Sequence, residues 1–369
     1  MTGDDLIYKI AFSMLHGINY SAAEHIIGRT GSEKAFFEAP EGALRALLNI
    51  TSRFVSSSYR SELLEKARKE ALFVESSGIY PVYFSDSGFP ERLKDCEDAP
   101  VMLYSLGDCN LNTRFTISIV GTRHATSYGL GFTRRLIEDL ADMLPEKPLV
   151  ISGLAFGIDI EAHRGAMECG CPTAAVLAHG LNTIYPAVHR NYAADICRKG
   201  GVLLTEYTSS ATIHRGSFLA RNRIIAGLAE CTVIVESARK GGAMTTARIA
   251  RDYNRDVFAL PGRISDPYSA GCNALINNKS AELIQSAQDL VYETRWPVVT
   301  QEGQQQSLLL ELNDDEQKIV DILTQHGDIQ LNRLSILCSI PVHRLMATLV
   351  DMEFKGVIIT YPGGRYALA

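Results

Sequence analysis

The residues best suited to holding an anion are the glycines, hydroxyls and cations that follow several short apolar runs. The run Ile117-Ser118-Ile119-Val120 empties into Gly121-Thr122-Arg123-His124. A second, Leu149-Val150-Ile151, is followed by Ser152-Gly153-Leu154-Ala155-Phe156-Gly157-Ile158-Asp159. A third, Thr232–Val235, is followed by Glu236-Ser237-Ala238-Arg239-Lys240-Gly241-Gly242. Glycine lets backbone N–H groups approach an anion closely, and a helix starting after such a loop aims its positive end at the same place. Arg123 and Lys240 add full charges to two of the three loops. One cradle suits one phosphate, whereas several along one edge suit the successive phosphates of a polynucleotide.

The stretch Gly216-Ser217-Phe218-Leu219-Ala220-Arg221-Asn222-Arg223 points the same way. An aromatic ring beside arginines offers a π-face for an unpaired base and cations for the backbone. From Thr205 to Leu275 there are nine Lys/Arg against six Asp/Glu, in a chain whose formal net charge is −6. That overall charge argues against a protein that coats nucleic acid non-specifically, so the basic groups must work as a local cleft.

Other chemistries fit less well. His163, His179 and His189 lack metal-ligand spacing, and the eight cysteines form no C-x-x-C pair. Cys169-Gly170-Cys171 is too tight for a zinc knuckle, so reduced thiols, no metal and no cofactor are expected. Ser152 is not in a G-x-S-x-G elbow. Asp159 reads as a capping or loop-bracing carboxylate, and no carboxylate pair stands out for acid–base work, so no enzymatic activity is expected. The missing G-x-G-x-x-G and ribose-binding acid exclude a dinucleotide-dependent dehydrogenase. The alternative from another class is a nucleotide-processing enzyme akin to nucleoside-monophosphate phosphoribohydrolases. It needs a poised carboxylate, for which Glu236 is the one candidate, and a P-G-G-x-G-T loop that Pro261-Gly262-Arg263 does not supply.

To bring these loops to one edge, the apolar runs must be neighbouring strands. Thr116–Val120, Leu149–Ile151, Thr173–Leu177, Val202–Thr205, Thr232–Val235 and Val257–Leu260 are continuous rather than alternating. That is the pattern of strands buried on both faces of a parallel sheet. Helical stretches between them complete βαβ units, so a doubly wound α/β sheet is expected over residues 71–293, with ligands beyond the carboxyl ends of its strands. Residues 1–70 read as a helical domain. The turn His16-Gly17-Ile18-Asn19 hints at a helix-hairpin-helix or a related sterile-alpha-motif-like packing module, although Asn19 stands where that hairpin has its second glycine. Residues 294–311, from the neighbourhood of Trp296-Pro297 through Gln304-Gln305-Gln306, read as a linker.

Residues 312–369 read as helices over 315–325, 331–338 and 342–355. A hairpin over 357–361 and 365–368 turns at Pro362-Gly363-Gly364, which makes a winged helix. Five Lys/Arg against seven Asp/Glu from Leu312 onward make this module a protein-contact or regulatory domain rather than the main nucleic-acid reader. No apolar run approaches the roughly 20 residues that span a bilayer, and Met1-Thr2-Gly3-Asp4-Asp5 carries no signal-peptide pattern. Cytoplasm, without membrane contact, is the expectation.

At these residues the sequence resembles the bacterial DNA-processing protein A family (DprA, also called Smf), single-stranded-DNA-binding mediators of natural transformation. The matching pieces run in order: Val120-Gly121-Thr122-Arg123; Ser152-Gly153-Leu154-Ala155-Phe156-Gly157-Ile158-Asp159 with Ala162-His163; Tyr185-Pro186; Gly200-Gly201-Val202-Leu203-Leu204-Thr205-Glu206-Tyr207; Arg221-Asn222-Arg223-Ile224-Ile225-Ala226-Gly227-Leu228; Thr246-Ala247; Val257-Phe258-Ala259-Leu260-Pro261-Gly262; and Asn273-Ala274-Leu275-Ile276. The resemblance implies an extended Rossmann-like core that binds single-stranded DNA, forms a homodimer and helps load RecA recombinase onto that DNA. By position, the DNA contacts it implies are Gly121, Arg123, Ser152, Gly153, Phe218, Arg221, Asn222, Arg223, Lys240, Gly241 and Gly242. The chain departs from the family at Leu219, where a proline is usual, and at Gly241, where a serine is usual and here only backbone donors are left.

Overall fold

The computed structural model describes residues 3–49, 53–299, 313–355, 357–361 and 364–368. The chain divides into two compact units, Met1–Val299 and Thr300–Ala369. The first begins with five helices, α1 (Gly3–Ser13), α2 (Tyr20–Thr30), α3 (Glu33–Glu38), α4 (Glu41–Leu48) and α5 (Ser57–Ser76). Asn19 accepts the Ala22 N–H at 2.9 Å and Ser32 the Ala35 N–H at 3.1 Å, which caps α2 and α3.

Strands and helices then alternate: β1 (Tyr80–Tyr83), α6 (Glu91–Lys94), β2 (Met102–Gly107), β3 (Thr116–Val120), α7 (Ser127–Met143), β4 (Leu149–Ser152), α8 (Ile158–Glu168) and β5 (Thr173–Val176). After these come α9 (Arg190–Arg198), β6 (Val202–Thr205), α10 (Arg215–Leu228), β7 (Cys231–Ile234), α11 (Gly242–Asp252), β8 (Asp256–Ala259), α12 (Ala270–Asn277), β9 (Glu282–Leu283) and α13 (Ala287–Thr294). They form one nine-stranded sheet in the order β1-β2-β6-β5-β4-β3-β7-β8-β9. β3 to β9 pair in parallel, while β1 and β2 join antiparallel at the β6 side.

All six expected strands are present, each within a residue of its expected bounds. Their continuous apolar character follows from burial on both faces. Ile117 and Ile119 pack with Leu136 of α7, Ala162 of α8 and Leu290 of α13. Val120, Ile151 and Leu204 belong to a second core with Ile224 of α10, Ala247 of α11 and Leu275 of α12. That second core also takes in Phe12, Phe36 and Leu44 from the N-terminal helices. The expected domain boundary near residue 70 therefore falls inside a single compact unit.

The second unit has its own core, built on Ile319, Leu334, Leu345 and Met352. It contains α14 (Asp314–His326), β10 (Ile329–Gln330), α15 (Leu331–Cys338), α16 (Val342–Phe354), β11 (Ile358–Tyr361) and β12 (Arg365–Leu368). Its strands pair antiparallel in the order β10-β12-β11. Residues 300–311 of the expected linker lie outside the described residues, as do Met1 and Thr2 and the turn residues Pro362 and Gly363. The linker's first residues are packed: Trp296 is buried, its ring 5.3 Å from that of Phe115 and its Nε1 donating to Glu230 at 3.0 Å. Among the described residues no single helix is long and apolar enough to cross a membrane.

Candidate nucleic-acid interface

The chain leaves β3 for β4 on one side and later returns to β7 on the other, so the strand order reverses at β3. A crevice opens beyond the carboxyl ends of the strands at such a point. Here it is a cleft of about 910 Å³, walled by the loops after β3, β4 and β7 and by α10. Eight of the eleven expected site residues line it: Gly121, Arg123, Phe218, Arg221, Asn222, Lys240, Gly241 and Gly242.

The three loops are tied to one another by backbone bonds. Thr122 N–H donates to the Glu236 carbonyl at 2.6 Å, and Ile158 N–H donates to the Thr122 carbonyl at 3.2 Å. Gly157, at φ +76°, permits the second bond, because a Cβ there would sit 2.2 Å from the Thr122 oxygen. The Glu236 carboxylate is used in the same bracing, accepting Thr126 N–H at 2.9 Å and Thr126 Oγ1 at 2.6 Å. It is a loop brace, and the poised acid that a phosphoribohydrolase-like site needs is taken up. Among the described residues α8 and α11 have no side-chain cap at Gly157 and Gly241. In α8 the Ile158 N–H is spent on Thr122 and the Ile160 N–H donates to the Ala155 carbonyl at 3.1 Å, so the start of α11 is the helix end on offer to an anion.

The charge in the cleft is one-sided. Among the described residues Arg123, Arg215, Arg221 and Lys240 line it against the single carboxylate of Asp159. Arg123, Arg215 and Lys240 are exposed, whereas Arg221 is only 4% exposed and its Nε has no hydrogen-bond partner among the described residues. Burial lowers the Arg221 pKa, with the Asp159 charge opposing that shift and Arg123 adding to it. Burial likewise pushes the Asp159 carboxyl up, against the pull of Arg221 and of the Ala155 and Gly153 backbone donors. A guanidinium keeps its proton under such pressure, so a desolvated charge with an unused donor sits on the cleft wall.

Rings flank the cations. The Arg123 guanidinium lies 5.9 Å from the Phe218 ring centre, and Tyr185 meets Phe218 edge-on at 5.5 Å. His124 and Tyr268 stack at 5.8 Å with a 26° interplanar angle. Phe218 is half-buried at the cleft rather than in the core. The sequence reading missed His124, Tyr185, Arg215 and Tyr268 as lining residues. Tyr185-Pro186 was already visible among the resembling motifs, while Tyr268 arrives from a loop that carries no local signal.

Three expected contacts lie elsewhere. Ser152 is fully buried and its hydroxyl donates to the Ile119 carbonyl at 2.7 Å, so it fastens β4 to β3 beneath the cleft. Gly153 is also buried, and a Cβ there would fall 1.6 Å from Nη1 of Arg221. Its place in the site is to make room for that guanidinium. Arg223 turns away and donates to the Glu206 carboxylate and to the Asp98 carbonyl. The three histidines are engaged structurally: Nδ1 of His163 with Thr173 at 2.7 Å, of His179 with the Gly180 carbonyl at 2.9 Å and of His189 with the Leu154 carbonyl at 2.8 Å. Among the described residues no group of three or more His, Cys, Asp or Glu is placed to hold a metal ion.

The family described as DNA recombination-mediator protein A matches residues 81–295. Protein Smf of Synechocystis is 31% identical over 317 residues, covering 76% of this chain and 78% of the relative. Protein Smf of Escherichia coli is 32% identical over 294 residues, covering 77% and 76%. The fold is similar to DNA processing protein A from Streptococcus pneumoniae, with a TM-score of 0.64 at 29% identity, over 79% of this chain and 98% of that one. It is also similar to DNA processing protein A from Helicobacter pylori, described for its single-stranded DNA binding mode, with a TM-score of 0.52 at 30% identity over 58% and 94%. With a family match over more than half its length and relatives of this similarity, the chain belongs to the DNA recombination-mediator protein A family, which includes the DprA and Smf proteins.

Proposed function

We propose that this protein binds single-stranded DNA along the cleft and presents the strand to RecA recombinase, without itself catalysing a reaction. The observation that carries this reading is the buried Arg221 with its free Nε, set among three exposed cations and opposed by one carboxylate. A desolvated cation of this kind gains most from a phosphate, and Phe218 with Tyr185 supplies ring surface for an unpaired base. The single-stranded DNA binding mode described for the Helicobacter pylori relative supports the same assignment. A strand held by its phosphates with its bases unread can be handed to a recombinase whatever its sequence. Family membership further supports a homodimer and a role in DNA uptake and transformation, while the order of three helices and a small antiparallel sheet supports a winged-helix assignment for the second unit.

The deciding experiment is a titration of the protein with oligo-dT, with a duplex of equal length and with a mononucleotide, at two salt concentrations. Preference for the single strand, weakened by salt, is expected. Tight binding of the mononucleotide with indifference to oligonucleotides at low salt would overturn the proposal.

A further inference from the structure

Glu70 stands where a helix normally presents an apolar residue to the core. The buried positions of α5 are Arg60, Leu63, Ala67, Glu70 and Val74, the three-and-four spacing of an inward stripe. Glu70 is 4% exposed there. A carboxylate in such a place is destabilising unless its oxygens are well used. Both are used on one residue: Oε1 accepts the Ser209 backbone N–H at 2.8 Å, and Oε2 accepts the Ser209 hydroxyl at 2.5 Å. Among the described residues no Lys or Arg pairs with Glu70, so neutralising another charge does not account for its position.

Ser209 belongs to the segment joining β6 to α10, which becomes one wall of the cleft. Ile213, His214, Arg215 and Phe218 of this wall all line it. Its other fastenings are few. Arg223 holds Glu206 at its start, Tyr207 N–H donates to Thr205 Oγ1 at 3.1 Å, Ala211 N–H donates to the Thr208 carbonyl at 3.1 Å, the Thr208 and Ser210 hydroxyls meet at 3.3 Å, and Gly180 packs closely on Thr208 and Ser209. The far end is held when His214 accepts the Ser217 N–H at 3.3 Å. Among the described residues, the hydrogen bonds from the N-terminal helices to this segment are those of Glu70.

We propose that Glu70 is a positioning residue for strand binding: through Ser209, the N-terminal helices set the pose of the wall that carries Arg215 and Phe218. The inference rests on the reading of the cleft as a single-strand site. It gives the helical layer a mechanical part in binding without direct contact with DNA.

The test uses the full-length protein and the variants Glu70→Ala, Glu70→Gln and Ser209→Ala. Hydrogen exchange over residues 206–215 is measured without DNA, and affinity by oligo-dT titration. Glu70→Ala is expected to speed exchange in that segment while β3 and β4 stay protected. It should weaken oligo-dT binding about tenfold if the competent pose falls to a tenth of the population. The log–log salt slope should stay at the wild-type value, because no phosphate contact is removed. Glu70→Gln, still an acceptor for the Ser209 N–H, should recover most of the affinity. In a Phe218→Ala background the Glu70→Ala loss should shrink, since both act on one wall. Unchanged exchange over 206–215, or losses that add fully with Phe218→Ala, would overturn the proposal. If Glu70→Ala does not fold, Ser209→Ala carries the same readouts. If the wild type ignores oligo-dT, the strand-binding reading falls while the exchange measurement still decides whether Glu70 is a brace.

Discussion

Arg123, Lys240 and Phe218 meet at one cleft but differ in what each can give a strand, and substitution separates them. Arg123 and Lys240 are exposed and line the cleft, and the proposed function makes each a point contact for phosphate. Arg123→Ala and Lys240→Ala should each reduce the log–log salt slope of oligo-dT binding by about 0.7, equally for dA and dT oligomers. A slope that does not move removes that side chain from the phosphate path. Phe218→Ala should instead weaken binding by roughly 1–3 kcal/mol at an unchanged slope, because a ring carries no counterions to release. Unaltered affinity would return Phe218 to a packing role. His163 shows how burial sets a pH window. Burial first, then the Arg221 charge and the neighbouring His189, hold its imidazole from 6.5 down to about 3. Between those values the unfolded chain takes up a proton that the folded one refuses, so stability falls as pH drops through the window. This group alone contributes at most about 1.4 kcal/mol per pH unit. Melting temperature should therefore decline more steeply from pH 6.5 to 4 in the wild type than in His163→Gln, and equal slopes would refute the assignment. The residue types were legible in the sequence, but the directions of Ser152 and Arg223 were not. Whether a strand-end hydroxyl faces the cleft or the next strand depends on register, and Glu206, which takes Arg223, lies at the end of a different strand.

The elements that were legible are the strands enclosed on both faces. Thr116–Val120 and its parallel neighbours announce themselves because no residue in them has to face water. β1 and β9 are less visible: β1 holds Pro81, which edge strands tolerate, and both residues of β9 are exposed. β2 pairs antiparallel with both neighbours, so no following crossover helix flags it as part of the parallel array. The loop after β4 is legible as a glycine loop, yet its purpose emerges only from packing against α10. A Cβ at Gly153 would fall 1.6 Å from Nη1 of Arg221, and a buried guanidinium has little room to retreat. Gly153→Ala should lower stability by about 1–3 kcal/mol through overpacking. It should also weaken oligo-dT binding, and the loss should be strongly non-additive with Arg221→Ala, since both changes unseat the same group. Thermal melts and titrations of the two single variants and the double variant measure this. Full additivity of the two binding losses would show that Gly153 contributes through its own backbone instead.

For the whole chain the question is which of the two units holds the strand. The cleft, its cations and its bracing helices all lie within Met1–Val299. In the second unit Arg344, Lys355 and Arg365 are already paired with Asp315, Glu316 and Asp328. Lys318 and Arg333 are the remaining Lys/Arg against an acidic excess of two, seven minus five from Leu312 onward. Phosphate contacts supply most non-specific affinity, so this unit has little to add to it. The composition around Trp296-Pro297 places the end of the first unit too early, because a tryptophan beside proline and glutamine looks like linker while its partners, Phe115 and Glu230, are far away in sequence. Val299 is tied in as well, its N–H donating to the Met143 carbonyl at 2.7 Å. A truncation should therefore end after Val299, since a cut at Trp296 would endanger the core and confound the measurement. The 1–299 protein should keep its oligo-dT affinity within about twofold and the same salt slope as the full chain, the slope counting phosphates held by the cleft. Loss of most of the affinity together with a fall in slope would mean that cations of the second unit reach the strand despite their pairing, and would make that unit a DNA reader.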